Sequence, residues 1–323
     1  MLKLAQPSAS AEEPAAEGGS LRSIQERIQE LKRENDILLM AHNYQYPEIQ
    51  AVADIRGDTL ELCFAGTKVA QPNIVFCGVD FMAEMAKVLN PGKHVFIPDD
   101  KAYCPLAGMA DVEGVQLMKE HHPEAAVVAY VNSSSAVKAI ADVVCASANA
   151  VAVCRSLPQE EIIFAPDQNF GQYLQEKLPE KKVHIWAGYC HVHQNMTPAQ
   201  VQELQAAHPA AEVVVHPECP PDVIATAAYV GSTGGMLKHV RDSPKREFII
   251  GSERELTYAM KVASPGKIFY TLPRAVCPTH KKITVRKLLH TLEALEPEVQ
   301  LSDEVIQGAQ RSVRKMLEFA PRE

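Results

Sequence analysis

Ile37-Leu38-Leu39-Met40-Ala41-His42-Asn43-Tyr44 is a short aliphatic run that stops abruptly at polar side chains. A run of this length with such an ending reads as a buried parallel strand carrying functional groups at its carboxyl end. The pattern returns twice: Ala125 to Ala129 leads into Tyr130-Val131-Asn132, and Glu212 to Val215 leads into His216-Pro217-Glu218. His42 to Tyr130 is 88 residues and Tyr130 to His216 is 86, so the chain contains a threefold internal repeat.

Other landmarks recur with the same period. Gly57-Asp58-Thr59 falls opposite Cys145-Ala146-Ser147 and Gly231-Ser232-Thr233, each standing before or at a helix start. A second strand is predicted at Ile74 to Phe76, Ile162 to Phe164 and Phe248 to Ile250. A third is predicted at Val95 to Ile97, His184 to Trp186 and Ile268 to Tyr270. Each third strand leads to a cysteine: Cys104, Cys190 and Cys277, spaced by 86 and 87 residues. Strands alternating with helices imply parallel βα units, whose binding groups gather beyond the carboxyl ends of the strands.

The predicted fold class is therefore α/β: three similar three-layer α/β domains, each with a small parallel sheet, in pseudo-threefold arrangement around a centre. A first helix from about Leu21 to Asn35 carries Leu21, Ile24, Ile28 and Leu31 on one face, with Ser20 as N-cap. It closes the first unit from outside, and a last helix from Ser302 to Phe319 is expected to return to the same unit. The expected domains are residues 20–103 with 278–323, residues 104–189, and residues 190–277. Residues 1–19, rich in Ala, Ser, Glu, Pro and Gly without periodicity, read as a disordered tail.

Composition narrows the function classes. The 323 residues are 46% hydrophobic and 22% charged, which is ordinary globular composition. The 32 Lys and Arg against 40 Asp and Glu give a net charge of -8, and no Lys/Arg-rich run supplies the footprint of a nucleic-acid binder. Asp142 interrupts the best apolar stretch, between Ala139 and Cys154, and no secretory segment follows Met1. The expectation is a cytoplasmic protein with neither membrane nor nucleic-acid partners.

Eight cysteines in such a chain are not a disulfide framework. Cys63, Cys77, Cys145 and Cys154 lie in apolar stretches and read as packing. Cys104, Cys190 and Cys277 share one repeat position, and three thiolates on an axis leave a tetrahedral or cubane metal site one ligand short, open to substrate. Thiolates suit both zinc and iron-sulfur clusters, and the proline following Cys104 and Cys277 recurs in iron-sulfur ligand runs. Cys219-Pro220 is excluded as a fourth ligand because its repeat equivalents are Gln45 and Ser133. Cys190-x-x-His193 and Cys277-x-x-His280 have zinc-like spacing, yet no second pair completes a closed structural site.

The strand ends add two polar layers. His42, Tyr130 and His216 form one; Tyr44, Asn132 and Glu218 form the next, bringing imidazole, phenol and carboxylate within proton-transfer reach of one substrate. Thr59, Ser147 and Thr233, with Ser232 and Gly234-Gly235, offer hydroxyls and helix N-terminal amides to carboxylate or phosphate oxygens, and equally serve as helix caps. No P-loop or G-x-G-x-x-G accompanies them, so no nucleotide cofactor is expected. His121, His122, His290 and the charged group around Lys281 read as surface.

At these residues the chain resembles the quinolinate synthases. The resemblance rests on His42-Asn43-Tyr44-Gln45, Gly57-Asp58-Thr59-Leu60, Tyr130-Val131-Asn132, Ser147-Ala148-Asn149, Pro166-Asp167-x-Asn169, Cys190-x-Val192-His193, His216-Pro217-Glu218-Cys219-Pro220 and Gly231-Ser232-Thr233, and runs from about residue 36 to 290. It implies a triangle of three α/β domains around one [4Fe-4S] cluster per chain, held by Cys104, Cys190 and Cys277. It also implies condensation of iminoaspartate with dihydroxyacetone phosphate to quinolinate, losing phosphate and two waters, with the free iron as Lewis acid. An L-aspartate oxidase would supply the iminoaspartate.

Carried over, Tyr44 and Glu218 are the acid/base pair, with His42, His193 and His216 orienting substrate and relaying protons. Tyr130 and Asn132 contact intermediates, while Asp58, Thr59, Ser147, Ser232 and Thr233 hold carboxylate and phosphate oxygens. Thr59 stands where Ser is expected, and Cys277 lacks the nearby cysteines some members carry. Two other classes stay open: a cluster-bearing redox or sensor protein, and a zinc-dependent phosphosugar lyase.

Overall fold

The computed structural model describes residues 20–319, so the tail expected at 1–19 lies outside the described residues. Its twelve strands make three sheets of four. The first sheet holds β1 (Ile37–His42), β2 (Ile55–Gly57), β3 (Asn73–Cys77) and β4 (His94–Phe96). The second holds β5 (Ala126–Tyr130), β6 (Val143–Cys145), β7 (Glu161–Ala165) and β8 (Lys182–Ile185). The third holds β9 (Glu212–Val215), β10 (Tyr229–Val230), β11 (Glu247–Gly251) and β12 (Ile268–Thr271).

All pairings between strands of the three sheets are parallel, and the strand orders β2-β1-β3-β4, β6-β5-β7-β8 and β10-β9-β11-β12 are one topology used three times. Register repeats too, with His42 opposite Gly57, Tyr130 opposite Cys145 and Val215 opposite Val230. Strands buried on both faces explain the unbroken aliphatic runs, since every residue of β1, β5 and β6 is buried. In this order the chain reverses its winding direction between β1 and β3, and again at β5/β7 and β9/β11. A crevice opens at such a switch point, beyond the carboxyl ends.

The predicted class of three similar α/β units is therefore what the chain adopts, with one addition. Each sheet has a fourth strand, β2, β6 or β10, of only two or three residues. Segments that short carry no readable period, which is why three strands per unit were expected.

Two helix expectations change. In the helix Leu21–Glu34, Ser20 caps as predicted, accepting the Ser23 amide, and Ile24, Ile28 and Leu31 are buried, but Leu21 is 50% exposed. The last helix, Asp303–Leu317, does not return simply to the first unit: it lies mainly on the helix Ser135–Ile140 and β6 of the second, touching the helix Asp80–Leu89 of the first. Its apolar stripe of Ile306, Ala309, Val313 and Met316 is buried there. Gly308 permits the approach, because a Cβ at that position would stand 2.7 Å from Ala139 Cβ. Bonds from Ser312 Oγ to Lys138 O (2.6 Å) and from Asn149 Nδ2 to Met316 O (3.0 Å) lock the arrangement. The helix Val285–Ala294 does return to the first unit, against Leu21–Glu34, and the segment that follows it lies beside β4, with Val299 N–H donating to Val95 O at 2.8 Å.

The first and second units share one continuous apolar core, whereas the third has two separate cores, one on each face of its sheet. No helix among the described residues is long and apolar enough to cross a membrane.

Candidate active site

The carboxyl ends of the three sheets enclose one cavity, lined by residues from every unit. Among them are His42, Tyr44, Asp58, Thr59, Tyr130, Asn132, Ser147, His193, His216, Glu218 and Thr233, together with Cys104, Cys190 and Cys277. Ser232 is the one predicted site residue whose side chain does not line it.

Glu218 is the hub. Its Oε1 accepts the Tyr130 hydroxyl at 2.8 Å and the Asn132 amide at 2.9 Å, both across the boundary between the third and second units. Its Oε2 lies 2.9 Å from His193 Nδ1 and 3.9 Å from His216 Nδ1. Burial alone would raise this carboxyl, but the His216 and His193 imidazoles and the Tyr130 hydroxyl outweigh it and hold Glu218 below the usual carboxylate range. Glu218 is an anion at neutral pH.

A residue that sequence reasoning missed connects this hub to Tyr44. Ser252, at the end of β11, places Oγ 2.7 Å from Tyr44 Oη and 3.4 Å from His193 Nε2. In the tautomer with Nδ1–H turned to Glu218 and Nε2 free to accept, Ser252 donates to His193 and Tyr44 donates to Ser252. Tyr44, Ser252, His193 and Glu218 thus form an unbroken hydrogen-bonded chain. Burial, reinforced by the Glu218 charge, raises the Tyr44 phenol well above its ordinary value and keeps it protonated. The repeat could not reveal Ser252, because its counterparts are Gly78 and Pro166.

His42 and His216 share a local design. Each stands at the end of a first strand and accepts the amide two residues on: Tyr44 N–H to His42 Nδ1 (3.2 Å), Glu218 N–H to His216 Nδ1 (3.3 Å). An amide can only donate, so the proton of each neutral ring sits on Nε2. Burial keeps both rings neutral, lowering His42 to about 3 and His216 to about 4, although Glu218 pulls the other way. Each offers an N–H to the cavity; His216 Nε2 is 3.3 Å from Ser147 Oγ.

The helices Thr59–Gly66 and Thr233–Asp242 start at the cavity. Asp58 caps the first through a capping box, accepting the Glu61 amide at 2.9 Å while Glu61 accepts its own at 2.7 Å. Asp58 Oδ2 also accepts the Gly234 amide of the other helix at 3.3 Å, so one carboxylate caps two helices of different units. Ser232 caps the second, accepting from Gly235 at 3.0 Å. These two residues are engaged as caps; Thr59, Ser147 and Thr233 carry hydroxyls on the cavity wall. Thr233 Oγ1 accepts from Asn43 Nδ2 at 3.3 Å, a further bond between first and third units.

Three cysteines line the cavity and the other five are buried elsewhere. Burial pushes the Cys104 and Cys190 thiols up, with Cys277 adding to the effect on both and Cys104 to that on Cys190, and all three residues line the one cavity. Cys219 points away, with Sγ 3.3 Å from Gly251 O in the core of the third unit. The donor set fits an iron-sulfur cluster: three soft sulfurs, one per repeat, line one cavity where burial disfavours the anionic form unless a cationic centre is present. A second metal-binding grouping overlaps it, since Cys190, His193 and Glu218 offer ligand atoms within 4.8 Å of one another.

One reading of the sequence changes here. Lys281 is not a surface charge: its side chain is 9% exposed, pairs with Glu253 at 3.0 Å and donates to Tyr44 O at 2.6 Å. His280 stacks on His42 at 5.2 Å and bonds Gln45 through Nδ1 at 3.1 Å, which turns that nitrogen to Gln45.

Residues 26–318 match the family model described as quinolinate synthetase A protein. The chain is 45% identical over 298 residues to a quinolinate synthase of Methanoregula boonei, covering 91% of this chain and 97% of that one. It is 41% identical over 301 residues to one of Caldicellulosiruptor saccharolyticus, covering 93% and 99%. A Geobacter metallireducens quinolinate synthase is 43% identical over 296 residues, covering 91% and 97%. With a match of that extent, on three repeated sheets around one polar, thiol-lined cavity, the chain belongs to the quinolinate synthetase A family of enzymes.

Proposed function

We propose that this chain condenses iminoaspartate with dihydroxyacetone phosphate to quinolinate, releasing phosphate and two waters, in the biosynthesis of NAD. One carbon-carbon and one carbon-nitrogen bond form, phosphate and water leave, and no electrons are gained or lost. The observation that carries the reading is the convergence on one cavity of three thiols and the Tyr44-Ser252-His193-Glu218 chain.

Cys104, Cys190 and Cys277 would hold a [4Fe-4S] cluster, which when bound supplies a Lewis acid for a substrate oxygen. Around it, the protein's own groups do the remaining work. Tyr44 stays protonated and Glu218 ionised, so the chain between them holds one acid and one base coupled through hydrogen bonds. As these bonds point, small shifts along Ser252 and His193 carry a proton from the Tyr44 end to Glu218, and passage the other way requires the hydroxyls and the imidazole to reverse their donors. His42 and His216 present neutral N–H donors to carboxylate or carbonyl oxygens, with fixed direction and no reorganisation. Thr59 and Thr233, at two helix N-termini, suit carboxylate and phosphate oxygens. Tyr130 and Asn132 orient Glu218 while facing the reactants. The setting is cytoplasmic, with an L-aspartate oxidase as the source of the unstable imine.

The Cys190, His193 and Glu218 grouping favours a second reading, a single zinc ion serving a lyase. One experiment separates the two: purify the chain without oxygen, measure iron, sulfide and zinc, and assay quinolinate with iminoaspartate generated in place. About four irons and four sulfides per chain with quinolinate formed supports the first reading. One zinc, no sulfide and no quinolinate would defeat it.

A further inference from the structure

Behind each of the three cysteines stands a carboxylate that no repeated motif announces. The Cys104 amide donates to Asp80 Oδ1 at 2.9 Å, the Cys190 amide to Asp167 Oδ2 at 3.2 Å, and the Cys277 amide to Glu253 Oε1 at 3.3 Å. The sequence separations are 24, 23 and 24 residues. All three acids lie just past the end of the corresponding strand, β3, β7 or β11, and each cysteine lies in the loop after the neighbouring strand, β4, β8 or β12.

Each acid also grips the turn that starts its own helix or approach to it. Asp80 Oδ1 accepts the Phe81 amide at 2.8 Å, Asp167 Oδ1 the Phe170 amide at 2.8 Å, and Glu253 Oε2 the Glu255 amide at 2.7 Å. A main-chain bond runs beside each: Asp80 N to Ala102 O (2.9 Å), Gln168 N to Gly188 O (2.7 Å) and Arg254 N to Ala275 O (2.7 Å). Ala102, Gly188 and Ala275 are each two residues before the cysteine. Every cysteine loop is thus bracketed at two points against the neighbouring strand's end, three times over. Asp80 sits one residue later in its unit than the other two, and the third acid is Glu, so the trio does not line up in the sequence.

We infer that Asp80, Asp167 and Glu253 are positioning residues that set the three cysteine loops so that their sulfurs face one cluster. This rests on the cluster reading above. A loop fixed only by the metal would drift when the metal left. Loops held by backbone bonds to rigid strand ends keep the donor set assembled in advance, which raises affinity by lowering the ordering required on binding.

The atoms engaged make the inference discriminating. Both bonds to Asp80 end on the same oxygen, so after Asp80→Asn the side-chain amide oxygen can still accept both. The two bonds to Asp167 end on different oxygens, so Asp167→Asn must turn an NH2 toward one amide donor and lose that bond. Removing charge affects both alike; removing geometry does not.

The test has two readouts. In the metal-free chain, hydrogen exchange of the segments ending at Cys104 and Cys190 is compared between wild type, Asp80→Ala, Asp80→Asn, Asp167→Ala and Asp167→Asn. The alanine variants should exchange about five- to tenfold faster at the cysteine amide, with Asp80→Asn near wild type and Asp167→Asn close to Asp167→Ala. In the reconstituted protein, the half-life of the visible cluster absorbance under an iron chelator should follow the same order. Wild-type retention in both alanine variants would overturn the inference, and so would equal effects of the two asparagine variants. Wild-type protein that binds no iron or sulfide would instead refute the cluster reading, while the exchange readout still reports on the brackets.

Discussion

The Tyr44 hydroxyl, from the first unit, meets the Ser252 hydroxyl of the third at 2.7 Å, and through it reaches His193 and Glu218. Ser252 makes an acid on one unit and a base on another parts of a single proton path. Ser252→Ala should therefore lower kcat about ten- to a hundredfold with KM little changed, and Tyr44→Phe or Glu218→Gln about a hundred- to ten-thousandfold. Steady-state quinolinate formation by cluster-loaded variants measures this. Combining Ser252→Ala with Tyr44→Phe should add little, because the two changes break the same path.

The cysteines should divide sharply. Cys104→Ala, Cys190→Ala and Cys277→Ala are expected to abolish iron and sulfide binding after anaerobic reconstitution. Cys219→Ala should load normally and lose about 1–2 kcal/mol of stability, since its sulfur fills core space against Gly251 O and Met196. Iron and sulfide analysis beside chemical denaturation gives both quantities.

Acid should destabilise the metal-free chain through its buried histidines. His42 and His216 have folded-state values of about 3 and about 4, below the ordinary 6.5, so the unfolded chain binds more protons between those limits. Stability from each is present above about pH 6.5 and is lost as pH falls, by about 2 kcal/mol each at pH 5. Glu61 runs the other way: burial and Asp58 push it up to about 7, so its contribution shrinks as pH rises from 4.5 through 7. The comparison that isolates the histidines is Tm at pH 7 and pH 5 for wild type and His216→Asn. Wild type should lose more, and equal losses would contradict the neutral-histidine assignment.

At the contact of the last helix with the second unit, Gly308→Ala should cost about 1–3 kcal/mol, because the new Cβ meets Ala139 at 2.7 Å with backbone close behind. Thermal unfolding measures it. Gly92→Ala, at a position with open space around it, serves as the control and should leave Tm nearly unchanged.

Much of this architecture was legible in the chain because the repeat did the reading. The strands β1, β5 and β9 and the cysteines Cys104, Cys190 and Cys277 share a period, and a period is visible without any knowledge of contacts. What stayed hidden was what the repeat does not contain. Ser252 has no polar counterpart, Lys281 pairs with Glu253, and Asp80 is displaced by one residue from Asp167 and Glu253. The last helix showed its apolar stripe plainly, but a stripe says only that a surface will be covered, and Gly308 against Ala139 decides which.

The division of the apolar core has a mechanical meaning. Where the third unit meets the others around the cavity, the bonds are largely polar: Asn43 to Thr233, Asp58 to Gly234, Tyr44 to Ser252, Tyr130 and Asn132 to Glu218. Water can replace such bonds at small net expense, whereas prising apart the shared interior of the first two units would expose oil-like surface. The third unit's margin is therefore the seam that costs least to part, and parting it would break the proton path at the link between Tyr44 and Ser252.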